Sequence, residues 1–565
     1  LIKEKLSQMI MAAIKSAVSS GMLKIEHIPP LTVEVPRNRK YGDLSSSISF
    51  LLSKEAGKPA LDISKILLEV LKQDIQGKSG KSCPVKKIEV AGGGFLNFFL
   101  NEEYLRQNLC NIITLGTKYG SLNIGKGKKI QVEFASVGPT GPIHIGHARG
   151  AVIGDVLSGI LKKAGFKVEK EYYINDVGTQ IEILGRSLRA KYSELCGHTP
   201  EVVENGYEGE YLLDIARILK EKSGSKCLDK DIEFFSSFAV KEILKDIKKD
   251  LKDFGVDFDS WVAESSLHRS GEVKKVIELL KKRGWTTLRD GALWFGAPSE
   301  EGSETAYEKD NVLIRSNGAP TYFASDIAYH CNKYQRKFDI MIDIWGQDHH
   351  GHVQRVKNAL KALGYDPEKL EIILYQLVSL SRGGIPVRMS TRKGEFVTLR
   401  EVMEEVGKEA IRFFFLMRKA SSHLNFDLEL AKQQSLENPV YYVQYAHARI
   451  CSIFREAEKK ELKIESSELK VADLSLLKEE IEIEIMKKLA FFPDEIAEMV
   501  LTREPHGLTV YSQELAALFH KFYTDHRVIS EDRNLTLARL ILVKAVQVVL
   551  ANSIQLMGIV PKEKM

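Results

Sequence analysis

Apolar and polar positions alternate through KIQVEFAS, residues 129–136, and the alternation ends at Gly138-Pro139-Thr140-Gly141-Pro142. A period of two predicts a strand, and a glycine–proline cluster predicts a turn. The pattern then changes to small and apolar residues at helical spacing in ARGAVIGDVLSGIL, residues 148–161. Strand, tight turn and helix start together form a place to hold phosphate, because the first N–H groups of a helix are unpaired and point outward. A similar succession recurs. VEKEYYIND (168–176) reads as a strand before the helix TQIEILGRSLRAKY (179–192). The nearly all-apolar run 339–345 reads as a strand buried on both faces, ending in Gly346-Gln347-Asp348-His349 before another helix. Ligands bind at the carboxyl ends of such strands.

The flanking patterns differ. Residues 1–115 read as a compact α+β unit: a helix over 2–18, a break at Pro29-Pro30, a strand LTVEVP (31–36) and a segment 37–57 that turns into a helix. A helix over 63–71 follows, then strand, glycine break and strand in KKIEVAGGGFLNFFL (86–100). Residues 116–127, GTKYGSLNIGKG, read as a polar glycine-rich linker. Residues 128–385 hold the strand–helix repeats, interrupted over about 193–288 by charged helical segments that read as an insertion joining two halves of a Rossmann-like fold. Their lysines at helical spacing are most simply a solvated face. Residues 386–433 connect to a last region, 434–565, where four long segments keep helical period around a polar hairpin at 463–474. That region predicts an antiparallel bundle. The expected class is multidomain α/β, with a parallel-sheet core, a helical insertion, an N-terminal α+β domain and a C-terminal all-α bundle.

Composition changes this picture little. The chain has 565 residues, and 81 basic against 76 acidic side chains give a net charge of +5, which permits a polyanionic partner without arguing for one. No apolar run is read as long enough to cross a membrane, and the N-terminal segment is an amphipathic helix rather than a signal peptide. The chain starts at Leu1, so removal of a residue or tag is expected. Cys83, Cys110, Cys196, Cys227, Cys331 and Cys451 form no CxxC pair, which predicts reduced thiols in a cytoplasmic protein and no structural zinc. No other metal site is expected either: Asp348, His349, His350 and His352 have no further ligands at helical spacing.

The chemistry gathers where the first turn meets its helix. His144 and His147 are three apart, which places both on one helical face at the positive end of a dipole, able to donate to phosphoryl oxygens as charge builds. Gly146 between them leaves room for a nucleotide base against the backbone. At these residues the chain resembles the HIGH signature of class I aminoacyl-tRNA synthetases, and PTGPIHIGHARGAVIGD resembles the arginyl-tRNA synthetase form. Arg388-Met389-Ser390-Thr391-Arg392-Lys393-Gly394 is basic and glycine-ended, suited to closing over triphosphate, and resembles the KMSKS signature in its arginyl form. It departs from that signature in having Arg388 for the first lysine and Thr391 where the second would be. VEVPRNRKYGDLSS and GFLNFFL resemble the additional N-terminal domain of that family, and the helical region resembles its anticodon-binding domain down to GIVPKEKM.

The resemblance implies an arginine–tRNA ligase that uses ATP as substrate with Mg²⁺ and partners L-arginine and the arginine tRNA. It implies a monomer with no membrane partner, whose activation step depends on tRNA. By position it puts His144, His147, Arg388, Ser390 and Lys393 in catalysis. It puts Pro139, Thr140, Gly141, Gly146, Gly346, Asp348, His349 and Met389 at ATP, together with His144, His147 and Ser390. Arginine would be held by Glu133, Ser136, Tyr322, Asp326 and Gln347, with the acids facing a planar fork of five donors. Glu133 is alternatively a structural ion-pair partner. Gly138 stands where the family has asparagine. Phe95, Asn97, Tyr445, Arg449 and Met565 would meet tRNA; Phe95 is equally a core ring and Asn97 a turn residue, and either Tyr441 or Tyr442 is expected in the core. The rival readings are a synthetase for lysine, whose lone ammonium needs no fork of acceptors, and an RNA-binding paralogue without catalysis.

Overall fold

A computed structural model describes residues 1–76, 83–296, 311–387, 397–462, 469 and 472–565. Its N-terminal unit runs α1 (Ile2–Ser19), β1 (Leu44–Ser46), α2 (Ile48–Ala56), α3 (Ala60–Gln76), β2 (Val85–Ala91), β3 (Phe95–Leu100) and α4 (Glu102–Leu115). The strands form one antiparallel sheet in the order β1-β3-β2. LTVEVP, expected as a strand, makes only a single bridge, Glu34 to Ser45. Its alternation is real, but β1 opposite it is three residues long, so no ladder extends along it.

The core runs β4 (Lys129–Glu133), α5 (Ile145–Lys163), β5 (Lys167–Ile174), α6 (Thr179–Leu195), α7 (Glu210–Ser223), α8 (Ile232–Asp253) and β6 (Ser260–Ala263). It continues through α9 (Glu264–Arg269), α10 (Glu272–Lys282), β7 (Thr286–Arg289), β8 (Ala292–Phe295), β9 (Val312–Ile314), α11 (Tyr322–Gln335), β10 (Ile340–Gly346), α12 (His350–Ala362) and β11 (Leu370–Tyr375). Five of these strands form a parallel sheet in the order β11-β10-β4-β5-β6. The stretch 193–288 is therefore not a purely helical insertion, because its β6 is the edge strand of the core sheet and pairs with β5. A four-residue SWVA is too short to declare a strand by periodicity. Strands β7, β8 and β9 make a separate antiparallel sheet.

Three strands of the core place a carboxylate at one register: Asp343 on β10, Glu133 on β4 and Glu171 on β5. Side by side, these charges would repel, and α11 neutralises the row. Lys333 Nζ lies 2.5 Å from Glu133 and 2.7 Å from Asp343, His330 Nε2 lies 2.8 Å from Asp343, and Arg336 takes Glu171 at 2.5 and 2.8 Å. On the opposite helix, α5, Gly154 is needed because a Cβ there would lie 2.1 Å from the Phe134 ring.

A small sheet, β12 (Val378–Arg382), β13 (Ile385–Pro386) and β14 (Leu424–Asp427), leads with α13 (Leu399–Val406), α14 (Lys408–Leu416) and α15 (Leu428–Lys432) to the helical region. That region holds α16 (Pro439–Lys459), α17 (Glu480–Ala490), α18 (Phe492–Thr502), α19 (Gly507–Asp525) and α20 (Arg533–Leu556). The segment read as one helix over 474–500 is two, because Pro493 cannot continue the first and begins the second. Most of the expected hairpin at 463–474 lies outside the described residues. Helix α20 is long and apolar enough to cross a membrane, contrary to the sequence reading, but 72% of its apolar window is buried inside the protein.

Residues 116–127 do not behave as a free linker. Leu122, Gly125 and Gly127 donate backbone bonds to Lys163, Ala164 and Gly165, the buried Tyr119 hydroxyl donates to Leu489 O, and Asn552 holds Gly116 O. The N-terminal unit is also tied to the bundle. Asp494 of α18 accepts from Ile2 N and Lys3 N at 3.0 Å each, capping α1 from another part of the chain. Apolar contact runs continuously from α1 to α20. Leu105, Leu109 and Ile112 of α4 are buried, each stabilising by roughly 1.5–3 kcal/mol. A chain beginning at Asn101 should therefore melt about 5 °C or more above one beginning at Gly116. Equal melting by circular dichroism would mean that α4 does not belong to the core.

Candidate active site

The core sheet changes direction between β4 and β10, since the chain proceeds from β4 to β5 on one side and reaches β10 and β11 on the other. Such a switch point opens a crevice at the strands' carboxyl ends. Residues 134–144 and 346–349 face each other there. The first turn is held tightly: Ala135 adopts φ 55°, the Tyr172 hydroxyl accepts from Val137 N and donates to Val137 O, and the Tyr211 hydroxyl donates to Thr140 O at 2.6 Å. Ser136 Oγ accepts from Tyr173 N at 3.0 Å, which makes it a brace of the strand end.

His144 is the N-cap of α5 rather than a helical residue, with Nδ1 accepting from Gly146 N at 2.9 Å. That bond puts its proton on Nε2. His147 lies in the first turn, with ring centroids 5.9 Å apart. Burial holds the His147 pKa down to about 4, so at neutral pH it is an uncharged donor. The turn is tied from the other side as well: Ile145 N donates to Val397 O and Leu399 N to Ile143 O. Arg149, fully buried, reaches the carbonyls of Gln376, Lys419 and Ser422 at 2.8–2.9 Å, tying α5 to the segments after β11 and after α14. The signature residues Arg388, Met389, Ser390 and Lys393 lie outside the described residues.

Across the crevice, Gly346 lets the Asp348 carboxylate lie against the backbone, because a Cβ there would lie 2.4 Å from Asp348 Oδ1 and turn that side chain aside. Asp348 and His349 are exposed, and Gln347 is half-buried. Asp348 acts electrostatically on His147, so the two motifs share one field. Gly138 has open space where a side chain would be.

The expected amino-acid pocket holds one correction. Glu133 does not offer its carboxylate to the crevice: it is buried and spent on Lys333, the structural alternative raised above. Sequence reading could not pair them, because they are 200 residues apart. The acids that do gather are Asp326, Glu264 and Asp176. Asp326 sits one turn after Tyr322 on α11, as expected, with Oδ2 at 2.7 Å from His352 Nε2. Glu264 begins α9, and Asp176, after β5, holds Ser265 through its N–H and hydroxyl at 2.8 and 2.7 Å. Burial pushes Glu264 up to about 7, and Asp326 and Asp176 push the same way. The buried Tyr173 hydroxyl feels all three. Glu264 was missed because it follows β6, itself unread, and Asp176, at the end of a strand that was read, because its partner Ser265 lies 89 residues further along. Among the described residues, no group of three or more His, Cys, Asp or Glu forms a metal cage.

Two other surfaces carry the remaining expected residues. Phe95 is 42% exposed and packs at a tilt against Phe50, also exposed, at 4.9 Å. Asn97 is buried, and its Oδ1 accepts from Ser45 at 2.7 Å, so it braces β3 against β1 instead of meeting solvent. In the bundle, Arg449 lies 4.9 Å from both the Tyr445 and Tyr523 rings. A groove of about 900 Å³ opens there, lined by Tyr445, Arg449, His526, Lys564 and Met565 among others. Tyr442 packs against the core while Tyr441 stacks on Tyr445. His447 is structural, holding Lys562 O at 2.8 Å.

Comparison with known proteins agrees along the whole chain. Residues 4–100 match the arginyl tRNA synthetase N terminal domain, 108–454 the class I tRNA synthetase (R) catalytic domain, and 443–565 the DALR anticodon binding domain. The chain is 47% identical over 568 residues to an arginine–tRNA ligase of Caldanaerobacter subterraneus subsp. tengcongensis, covering 100% of this chain and 99% of that one. It is 46% identical over 555 residues to the enzyme of that name from Carboxydothermus hydrogenoformans, covering 98% and 97%. The Thermus thermophilus arginyl-tRNA synthetase shares the fold over 100% of both chains, with a TM-score of 0.76 at 24% identity. The matched models, the full-length relatives and the two ordered signatures coincide, and the chain belongs to the class I arginyl-tRNA synthetase family.

Proposed function

We propose that this chain joins arginine to its tRNA in the crevice between β4 and β10. The observation that supports this most is the group of carboxylates formed by Asp176, Glu264 and Asp326. Clustered acids that raise one another's pKa favour a bound cation, and several acceptors suit a planar guanidinium better than a single ammonium. Tyr322 and Gln347 stand at the rim, Gln347 for the α-amino group. ATP lies along Pro139, Thr140, Gly141 and Gly146, with Gly346, Asp348 and His349 on the ribose side. Mg²⁺ would arrive on the triphosphate and supply positive charge to its oxygens.

The carboxylate of arginine attacks the α-phosphorus and pyrophosphate leaves. The 2′-hydroxyl of the terminal tRNA ribose then attacks the adenylate carbonyl, and AMP leaves. His144 and His147, both neutral donors, meet charge that grows on phosphoryl oxygen, and catalysis is mostly positioning and electrostatics. Arg388 and Lys393 would add positive charge from the signature segment, and Ser390 a hydroxyl donor. Thr391 supplies none, which is why activation is assigned a dependence on bound tRNA: the tRNA must favour the competent state. Phe95 stacks on a base at the tRNA elbow, and Tyr445, Arg449 and Met565 take unstacked anticodon bases. The protein works as a monomer in the cytoplasm, a setting that suits six free thiols.

His147→Ala should slow adenylate formation on the order of a hundredfold or more while ATP affinity changes little, as for a lost oxyanion donor. Equal losses in affinity and turnover would remove the assigned role. Asp326→Asn keeps the shape and removes a charge, at a cost of roughly 2–5 kcal/mol in arginine recognition. The KM for arginine should rise steeply with that for ATP unchanged. An unaltered arginine KM would take Asp326 out of the pocket.

A further inference from the structure

Asp326 does not stand by itself. His352, in the first turn of α12, is buried among the rings of Tyr322, Phe323 and Trp345, with centroids 5.6, 5.7 and 5.7 Å away. Its Nε2 lies 2.7 Å from Asp326 Oδ2. Its Nδ1 lies 3.3 Å from an Arg355 guanidinium nitrogen, one turn further along α12. Arginine only donates, so Nδ1 must accept. The proton is then on Nε2, and it is donated to Asp326. The order Arg355, His352, Asp326 is a relay of orientation in which each donor fixes the acceptor beyond it.

We propose that His352 is a positioning residue for amino-acid recognition: it fixes the plane of the Asp326 carboxylate so that the other oxygen meets the substrate guanidinium in plane. The inference rests on the arginine reading of this pocket. An imidazole chosen only to fill an aromatic box would have no reason to aim Nε2–H at the one carboxylate of α11 that faces the crevice. A carboxylate with one oxygen fixed can rotate less, and a fork of donors gains most from an acceptor already in plane. The histidine itself touches no reacting atom, so its removal should affect arginine and leave ATP alone.

The test compares His352→Gln with His352→Met. Both have flexible side chains of similar length. Glutamine keeps an N–H donor near the place of Nε2, and methionine removes it. Full-length protein with tRNA is assayed for the KM of arginine and of ATP and for kcat, with Asp326→Asn measured alongside. The methionine variant should raise the arginine KM about tenfold or more, the range of a lost hydrogen bond to a charged group, with the ATP KM unchanged. Glutamine should restore the arginine KM to within about threefold of the parent. Arg355→Met should shift the arginine KM in the same direction by less, and it serves if the methionine variant at 352 does not fold. An arginine KM unmoved by His352→Met while Asp326→Asn raises it would overturn the role of His352 alone. Glutamine and methionine behaving alike, or arginine and ATP losses rising together, would also overturn it, leaving His352 as packing. If Asp326→Asn itself leaves the arginine KM unchanged, the pocket reading fails and this inference falls with it.

Discussion

A lysine ammonium with no solvent exposure holds the architecture of the crevice. Lys333 is buried between two carboxylates that neighbouring parallel strands place directly opposite each other, Glu133 and Asp343. Either acid beside the other would be costly in so dry a place, and one cation between them offsets much of the conflict, though burial and Asp343 still hold the Glu133 carboxyl above its ordinary range. The carboxyl of Asp343 is held below its ordinary range by Lys333 and His330 despite its burial, and Lys333 stays charged. The same helix answers the third acid of the row through Arg336 and the Tyr329 hydroxyl. Because α11 is clamped to β4, β5 and β10 at its middle and end, its first turn has one place to go. That place is the end of the crevice beside α12, where Tyr322 and Asp326 meet His352.

Two groups of carboxylates, a few residues apart, thus have opposite fates. The inner row is matched by cations of the chain itself and is structural. The outer group, Asp176, Glu264 and Asp326, is surrounded by hydroxyls and imidazoles, and burial, with Asp326 and Asp176 acting the same way, pushes Glu264 up to about 7. On the proposed reading, a substrate cation completes what the fold leaves incomplete there. Specificity follows from geometry as much as charge, since acceptors on β5, α9 and α11 approach from different directions and a planar fork can engage several of them.

What the sequence made legible was the part governed by local rules. The alternation of KIQVEFAS, the buried run ending at Gly346 and the glycine–proline turn all gave elements in their expected places. So did the YxxxD spacing, because helical period alone sets it. What failed depended on distant partners. LTVEVP had a strand's alternation but only one bridge to pair with. Glu133 looked like a ligand because nothing nearby in sequence announced Lys333. The segment 116–127 looked free because Lys163, Leu489 and Asn552, which hold it, come later in the chain. Asn97 looked available for RNA until β1 supplied Ser45.

The central claim is that the outer carboxylates select a guanidinium. The direct measurement is pyrophosphate exchange into ATP across a panel of amino acids, run with arginine tRNA whose terminal ribose has been oxidised. Oxidation prevents charging and leaves the tRNA able to bind. The account predicts exchange with arginine and none above background with lysine or neutral amino acids. Exchange driven by lysine as well as by arginine, or by no amino acid at all, would contradict it.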